Sequence, residues 1–205
     1  MKKLDFWFDP ASTYSYIAAM RADDAAAATG VELNWRPFLL GPIFKAQGIE
    51  SSPFNLFPVK GRYMWRDLQR LAADLAIPLH TPSEADFVGF PRNSLLAARA
   101  CVVALRHDWG RDFVRGLYKA EFGDWLDIAD PKVVAGVAAS LGQDGEALLA
   151  ATQDAAVKGE LRANTEEAQA SGIFGAPSFV CDGELFWGSD RLDNALAYAA
   201  RASAP

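Results

Sequence analysis

The stretch whose reading decides the fold is LDFWFDPASTYSYIAAMRA, residues 4–22. Its first half sets apolar and aromatic side chains around Asp5, as a short strand does, and stops at Asp9-Pro10. Ser12 then stands where a helix must cap its free N–H groups, and an alanine-rich run predicts a helix over 12–29, ended by Gly30. A second strand follows at 31–38, VELNWRPF, with Val31, Leu33 and Trp35 alternating against Glu32, Asn34 and Arg36. Strand, helix and strand in such short succession predict two parallel strands joined by a right-handed crossover.

Residues 39–61, LLGPIFKAQGIESSPFNLFPVKG, are broken by Gly and Pro and read as loop with one short helix. A mostly helical block comes next. In GRYMWRDLQRLAADLAI, 61–77, Tyr63, Leu68 and Leu71 are expected to face inward and Asp67, Arg70 and Asp74 to stay in solvent. Apolar stripes recur at Leu95, Ala98, Val102 and Leu105, at Phe113, Leu117 and Ala120, and at Val134, Val137 and Leu141. They read as core, not as cofactor boxes.

Strand character returns in PSFVCDGELFWGSDRLDNALAYAARA, 177–202: a strand, an Asp182-Gly183 turn, a return strand from Glu184 to Trp187, and a closing helix. With β-α-β at one end, β-β-α at the other and helices between, the order is that of an α/β thioredoxin-like fold with a large all-helical insertion, the DsbA-like arrangement. Residues 1–40 plus 172–205 would form the thioredoxin-like domain and 41–171 the loop and helical insertion.

Composition narrows the function classes. A hydrophobic share of 51% with 22% charged residues is that of a globular domain. A net charge of −6 with no basic block argues against nucleic acid as partner. Asp5 and Asp9 interrupt the amino-terminal stretch before a signal-like apolar run forms, and nothing approaches the roughly 18 apolar residues that a bilayer span needs. A cytoplasmic location with no membrane partner is the expectation. Cys101 and Cys181 form no CxxC pair, and His80 and His107 have no second ligand at helical spacing, so no metal site is expected.

Four segments could carry chemistry. Ser12 and Ser15 keep the spacing of a CxxC at a helix start but hold hydroxyls, which cannot shuttle electrons. They can hydrogen-bond a thiolate supplied from outside, at a helix end that favours negative charge. No motif-linked histidine activates either serine as a nucleophile. Ala176-Pro177 in FGAPSF stands where this fold places a cis-proline, leaving the main chain of Ala176 open to strand-like pairing with a peptide. Ser189 and Asp190 in WGSDRL read as helix cap and first turn, and can also receive an α-carboxylate and an α-ammonium. In the middle loop and the helix after it, Asn55, Lys60, Arg62 and Trp65, with Tyr14 from the first helix, are candidates for further ligand contacts.

Taken together, DFWFDPASTYSYIA, PVKGRYMWRDLQRLA, FGAPSFV and ELFWGSDRL make the chain resemble the DsbA-like 2-hydroxychromene-2-carboxylate isomerases and the kappa-class glutathione transferases over nearly its whole length. The resemblance implies glutathione as cofactor, with Ser12 on its sulfur, Ala176 and Pro177 on the cysteinyl backbone, Ser189 and Asp190 on the glutamyl end and Asn55 from the middle loop. It also implies a small aromatic carboxylate substrate, near Tyr14, Lys60, Arg62 and Trp65, and a homodimer. The activity it implies is a glutathione-dependent cis-trans isomerisation. A transferase that conjugates an electrophile and a non-catalytic thiol- or peptide-binding module remain as alternatives. Ser12-Thr13-Tyr14 departs from the family's Ser-Pro-Tyr or Ser-Pro-Phe.

Overall fold

The first quoted stretch predicts a short strand, and β1 (Lys3–Phe8) is one, an inner strand with both of its faces covered. The computed structural model describes residues 3–83 and 90–201; the outermost residues of the expected thioredoxin-like unit lie outside this range. Helix α1 (Thr13–Thr29) leads to β2 (Glu32–Pro37), parallel to β1. The chain returns at β3 (Ser178–Cys181), antiparallel to β1, and β4 (Glu184–Trp187), antiparallel to β3, so the sheet order is β2-β1-β3-β4. Asp182 and Gly183 both take left-handed φ, 52° and 81°, as a two-residue hairpin requires.

The alternation of β1 sorts its side chains between two layers. Leu4, Phe6 and Phe8 join α1 and α10 (Leu192–Arg201) in the main core, where Phe6 stacks on Phe179 at 5.1 Å. Trp7 turns to the other face and packs with Phe38, Ile43, Ala168 and Ile173. Ala168 belongs to α9 (Ala155–Ala170), so this helix, within the 41–171 stretch, covers the second face of the sheet. Arg36 of β2 fastens it there: its guanidinium lies 4.1 Å over the Trp7 ring and pairs with Glu167 of α9.

Between β2 and α9 the chain forms α2 (Leu40–Ala46), α3 (Pro53–Leu56), α4 (Pro58–Asp74), α5 (Leu95–Ala104), α6 (Gly110–Tyr118), a π-helical turn (Lys119–Gly123), α7 (Pro131–Ser140) and α8 (Gly145–Ala151). Residues 39–61, expected to hold one short helix, hold α2, α3 and the start of α4. Pro53 and Pro58, which read as breakers, stand at the first helical positions, where a missing N–H costs nothing. In α4 the inward side chains are Met64, Trp65, Leu68 and Ala72, while Tyr63, expected inside, is 60% exposed. The true stripe steps by three and four; Tyr63 to Leu68 is a step of five, which crosses to another face. Leu95, expected in the α5 stripe, is the first helical residue and exposed. Burial there runs round most of the helix through Ala97, Ala98, Ala100, Cys101, Val102 and Ala104, whose small side chains let α6, α8 and α9 approach. Among the described residues no helix is long and apolar enough to cross a membrane.

One buried group sets a pH dependence. Glu121, in the π-helical turn, is fully buried and neither carboxylate oxygen has a hydrogen-bond partner. Burial lifts its pKa well above the usual carboxylate range, against the pull of Arg92 and with a further push from Asp9 and Asp127. The folded chain thus holds a proton that the unfolded chain releases near pH 4.3, and the stability linked to that proton is lost as pH rises through this window (ordinary Glu pKa about 4.3). Glu121→Gln is therefore expected to melt higher than the wild type at pH 8, by about 1–3 kcal/mol of stability, with the gap closing towards pH 4. Thermal melts across pH check this, and a gap independent of pH would refute it.

Candidate active site

The mouth of α1 is built from the end of β1. The Asp9 carboxylate accepts from the backbone N–H of Ala11 at 2.9 Å and of Leu40 at 2.8 Å, joining the entries of α1 and α2. Its carbonyl accepts from Ser12 N–H at 2.9 Å and from the Tyr118 hydroxyl at 2.9 Å. Burial raises the Asp9 pKa, while the two backbone donors oppose the rise. Ser12 is the N-cap of α1: its extended backbone (φ −89°, ψ 117°) turns Oγ back to accept from Ser15 N–H at 3.3 Å. The same hydroxyl donates to the Ala176 carbonyl at 3.1 Å, joining positions 164 apart in the chain. The first N–H groups of α1 have no acceptor within the helix and face the same point.

Ala176-Pro177 is cis. The Pro177 carbonyl accepts from Gly188 N–H at 3.0 Å, which brings the turn after β4 beside the cis-proline loop. Gly188 has φ 116° and ψ 151°, a conformation open only to glycine, and a Cβ there would lie 2.5 Å from Asp190 Oδ1. The Asp190 carboxylate thus curls back over the Gly188 backbone, and the acid also pairs with Arg191 at 3.1 Å. Ser189, expected as the cap of the closing helix, instead lies within a 3-10 turn (Ser189–Arg191) that precedes α10. It is 6% exposed and on the cavity wall.

These groups open onto a cavity of about 1600 Å³ between the mouth of α1, the cis-proline loop, α2 and α4. Ser12, Tyr14, Asn55, Lys60, Ala176, Ser189 and Asp190 all border it. Pro177 does not; it is buried behind Ala176, where its cis bond sets the direction of the Ala176 backbone. Nor do Arg62 and Trp65. Helical spacing explains the division: Lys60, Tyr63, Met64, Asp67 and Leu71, separated by three or four, form the cavity face of α4. Arg62 points to solvent, and Trp65 is buried between Phe90 and Trp125, at 5.3 and 5.6 Å. Asn55 donates to the Phe90 carbonyl at 2.9 Å and so ties the middle loop to the segment at 90–93. Tyr14 donates to Asp67 at 3.0 Å; burial and that carboxylate raise its pKa, so the phenol stays protonated.

The wall also holds residues that the sequence did not single out as site residues: Asp9, Lys45, Asp67, Phe174 and Trp187. Asp9, Phe174 and Trp187 carry nearby signals: Asp9 stands shortly before Ser12, and Phe174 and Trp187 open the FGAPSF and WGSDRL segments. The Tyr14–Asp67 contact spans 53 positions and has no local signature.

A family model described as the DSBA-like thioredoxin domain matches residues 3–199. The chain belongs to that family. Within it, the chain stands with the 2-hydroxychromene-2-carboxylate isomerases and the kappa-class glutathione transferases. It is 34% identical to a 2-hydroxychromene-2-carboxylate isomerase of Sphingobium xenophagum, over 96% of this chain and 97% of the relative. It is 30% identical to human glutathione S-transferase kappa 1, over 94% of this chain and 88% of the relative. A solved 2-hydroxychromene-2-carboxylate isomerase superposes with a TM-score of 0.84 at 25% identity, over 98% of this chain and 95% of that one. In this DsbA-like domain neither cysteine belongs to the mouth of α1. Cys101 is fully buried in α5, and burial raises its thiol pKa; Cys181 is buried in β3. The mouth of α1 offers hydroxyls alone, so the chain has no dithiol there for disulfide exchange.

Proposed function

We propose that the chain is a glutathione-dependent isomerase of the 2-hydroxychromene-2-carboxylate isomerase type, acting on an unsaturated aromatic keto acid or its cyclic hemiketal. The observation that carries this reading is the 3.1 Å contact of Ser12 Oγ with the Ala176 carbonyl. It brings a hydroxyl donor, an open backbone edge and a helix N-terminus to one point of the cavity. When bound there, glutathione supplies a sulfur nucleophile whose reversible addition to the conjugated carbon lets a double bond rotate.

The residues of the chain supply binding and charge. Strand-like pairing of a cysteinyl backbone with Ala176 presents a new N–H to that carbonyl, freeing the Ser12 hydroxyl to turn to sulfur. The free N–H groups and the dipole of α1 favour negative charge at the same place; thiols at helix N-termini are known with pKa values of about 3.5–7.5 against about 8.5 in water. Ser189 and the neighbouring backbone receive the glutamyl carboxylate, and Asp190 the ammonium. Asn55 positions the loop over the tripeptide through its bond to Phe90. Lys60, with its ammonium 5.6 Å over the Phe54 ring, and Lys45 are cations on the wall that form no ion pair among the described residues; they suit the carboxylates of substrate and tripeptide. Tyr14, held by Asp67, offers an aromatic face beside them.

The test is product analysis. Incubation of the protein with glutathione and an unsaturated aromatic keto acid is expected to interconvert isomers of one mass, with glutathione recovered in full. Steady accumulation of a glutathione conjugate would replace this reading with that of a kappa-like transferase. The homodimer that goes with the same reading is measured by light scattering.

A further inference from the structure

We propose that Phe174 and Trp187 form the subsite that receives an aromatic ring attached next to the reacting sulfur, with Gly175 as the residue that positions it. The inference rests on the glutathione reading and adds a specificity element to it. Both rings border the cavity, yet neither belongs to the core: Phe174 is 45% and Trp187 51% exposed. They meet with centroids 4.9 Å apart and planes tilted by 58°, an arrangement that leaves ring surface open to a third aromatic partner.

Their distance from the chemistry is fixed by Gly175. A Cβ built on that residue would lie 2.4 Å from Trp187 Nε1 and 3.1 Å from Cε2, so the indole rests directly on the Gly175 backbone. The next residue is Ala176, whose carbonyl is 3.1 Å from Ser12 Oγ. The indole thus rests one residue along the chain from the carbonyl that Ser12 holds, and Phe174, Trp187, Ala176 and Ser12 border the same cavity. Among the described residues the other large exposed ring on the wall, Tyr63, comes from α4 and has no such link to that carbonyl. Gly175 is outside the left-handed region, so its lack of a side chain serves the indole and not the backbone.

Three ligands separate this subsite from the tripeptide site: glutathione, S-methylglutathione and S-benzylglutathione, titrated by calorimetry. The wild type is expected to bind the benzyl compound about tenfold more tightly than the methyl compound, the order of preference that aromatic contacts supply. In Trp187→Ala and Phe174→Ala the ratio should fall to within about twofold, with glutathione and S-methylglutathione held as in wild type. Trp187→Phe should keep most of the preference, and Gly175→Ala should lose it by pushing the indole aside. If the wild type binds all three ligands and every variant keeps the wild-type ratio, the subsite is refuted while the glutathione reading stands. If the wild type binds none of them, the glutathione reading falls, and the subsite with it.

Discussion

Ser12→Ala is expected to raise the pKa of the glutathione thiol in the bound complex and to lower the isomerisation rate at neutral pH by about a hundredfold. The first effect follows from losing one hydrogen bond to an anion, worth about 1.5–3 kcal/mol, or one to two pKa units at 1.36 kcal/mol each. The sign is fixed by which form the hydroxyl stabilises. It donates to the thiolate and gains little from the thiol, so its loss favours protonation and moves the rate profile to higher pH. The second effect compares with the removal of a donor from an oxyanion site, about 10²–10³ in rate. Ultraviolet absorbance of the bound thiolate, followed against pH in both proteins, reads the first effect directly. Alanine also removes the N-cap bond to Ser15, at about 1 kcal/mol of stability. That loss shows in the melting temperature and leaves the thiol titration untouched. Unchanged thiolate absorbance in Ser12→Ala would remove Ser12 from the sulfur.

The second large effect is on binding. Asp190→Asn is expected to weaken glutathione about tenfold while the rate at saturation stays near the wild-type value. A charge-assisted bond to an ammonium can be worth more, but Asp190 is well exposed and already neighbours Arg191, so solvent and the existing pair reduce it. The decisive comparison uses a glutathione analogue lacking the α-amino group. If Asp190 holds the ammonium, wild type and Asp190→Asn bind that analogue alike. An equal loss for both ligands would mean that the substitution had disturbed the Gly188 turn, where the carboxylate packs against the backbone.

The site was legible where its chemistry is local. Ser12 could be read as a helix cap because β1, Asp9-Pro10 and the alanine-rich helix follow one another in the chain, and the cap geometry is as expected. The hairpin at Asp182-Gly183 rests on short-range turn preferences in the same way, whereas the cis bond at Pro177 runs against the local preference for trans and was expected from its place in the fold. Helix faces were less legible. On α4 the sequence holds apolar and aromatic residues at 63, 64, 65, 68 and 71, enough for more than one stripe. Packing against α1, through the Thr13 hydroxyl on Met64 sulfur at 3.2 Å, belongs to the choice that puts Met64 and Leu68 inside and turns Tyr63 outward. Trp65 shows the limit most plainly, since an aromatic ring on a helix suits a ligand wall and a core equally well until the neighbours are known.

By itself, then, the sequence determined the order of strands and helices and the hydroxyls in place of cysteines at the mouth of α1. Those features rest on alternation, capping and turn preferences, all of which act within a few residues. Only the tertiary structure decided which faces line the cavity, that the Ser12 hydroxyl reaches the Ala176 carbonyl, that Tyr14 is held by Asp67, and that Trp187 lies on Gly175. Each of these contacts joins elements remote in the chain or fixes one side chain against a neighbouring backbone, and close packing, which no local pattern encodes, selects among the arrangements that the sequence leaves open.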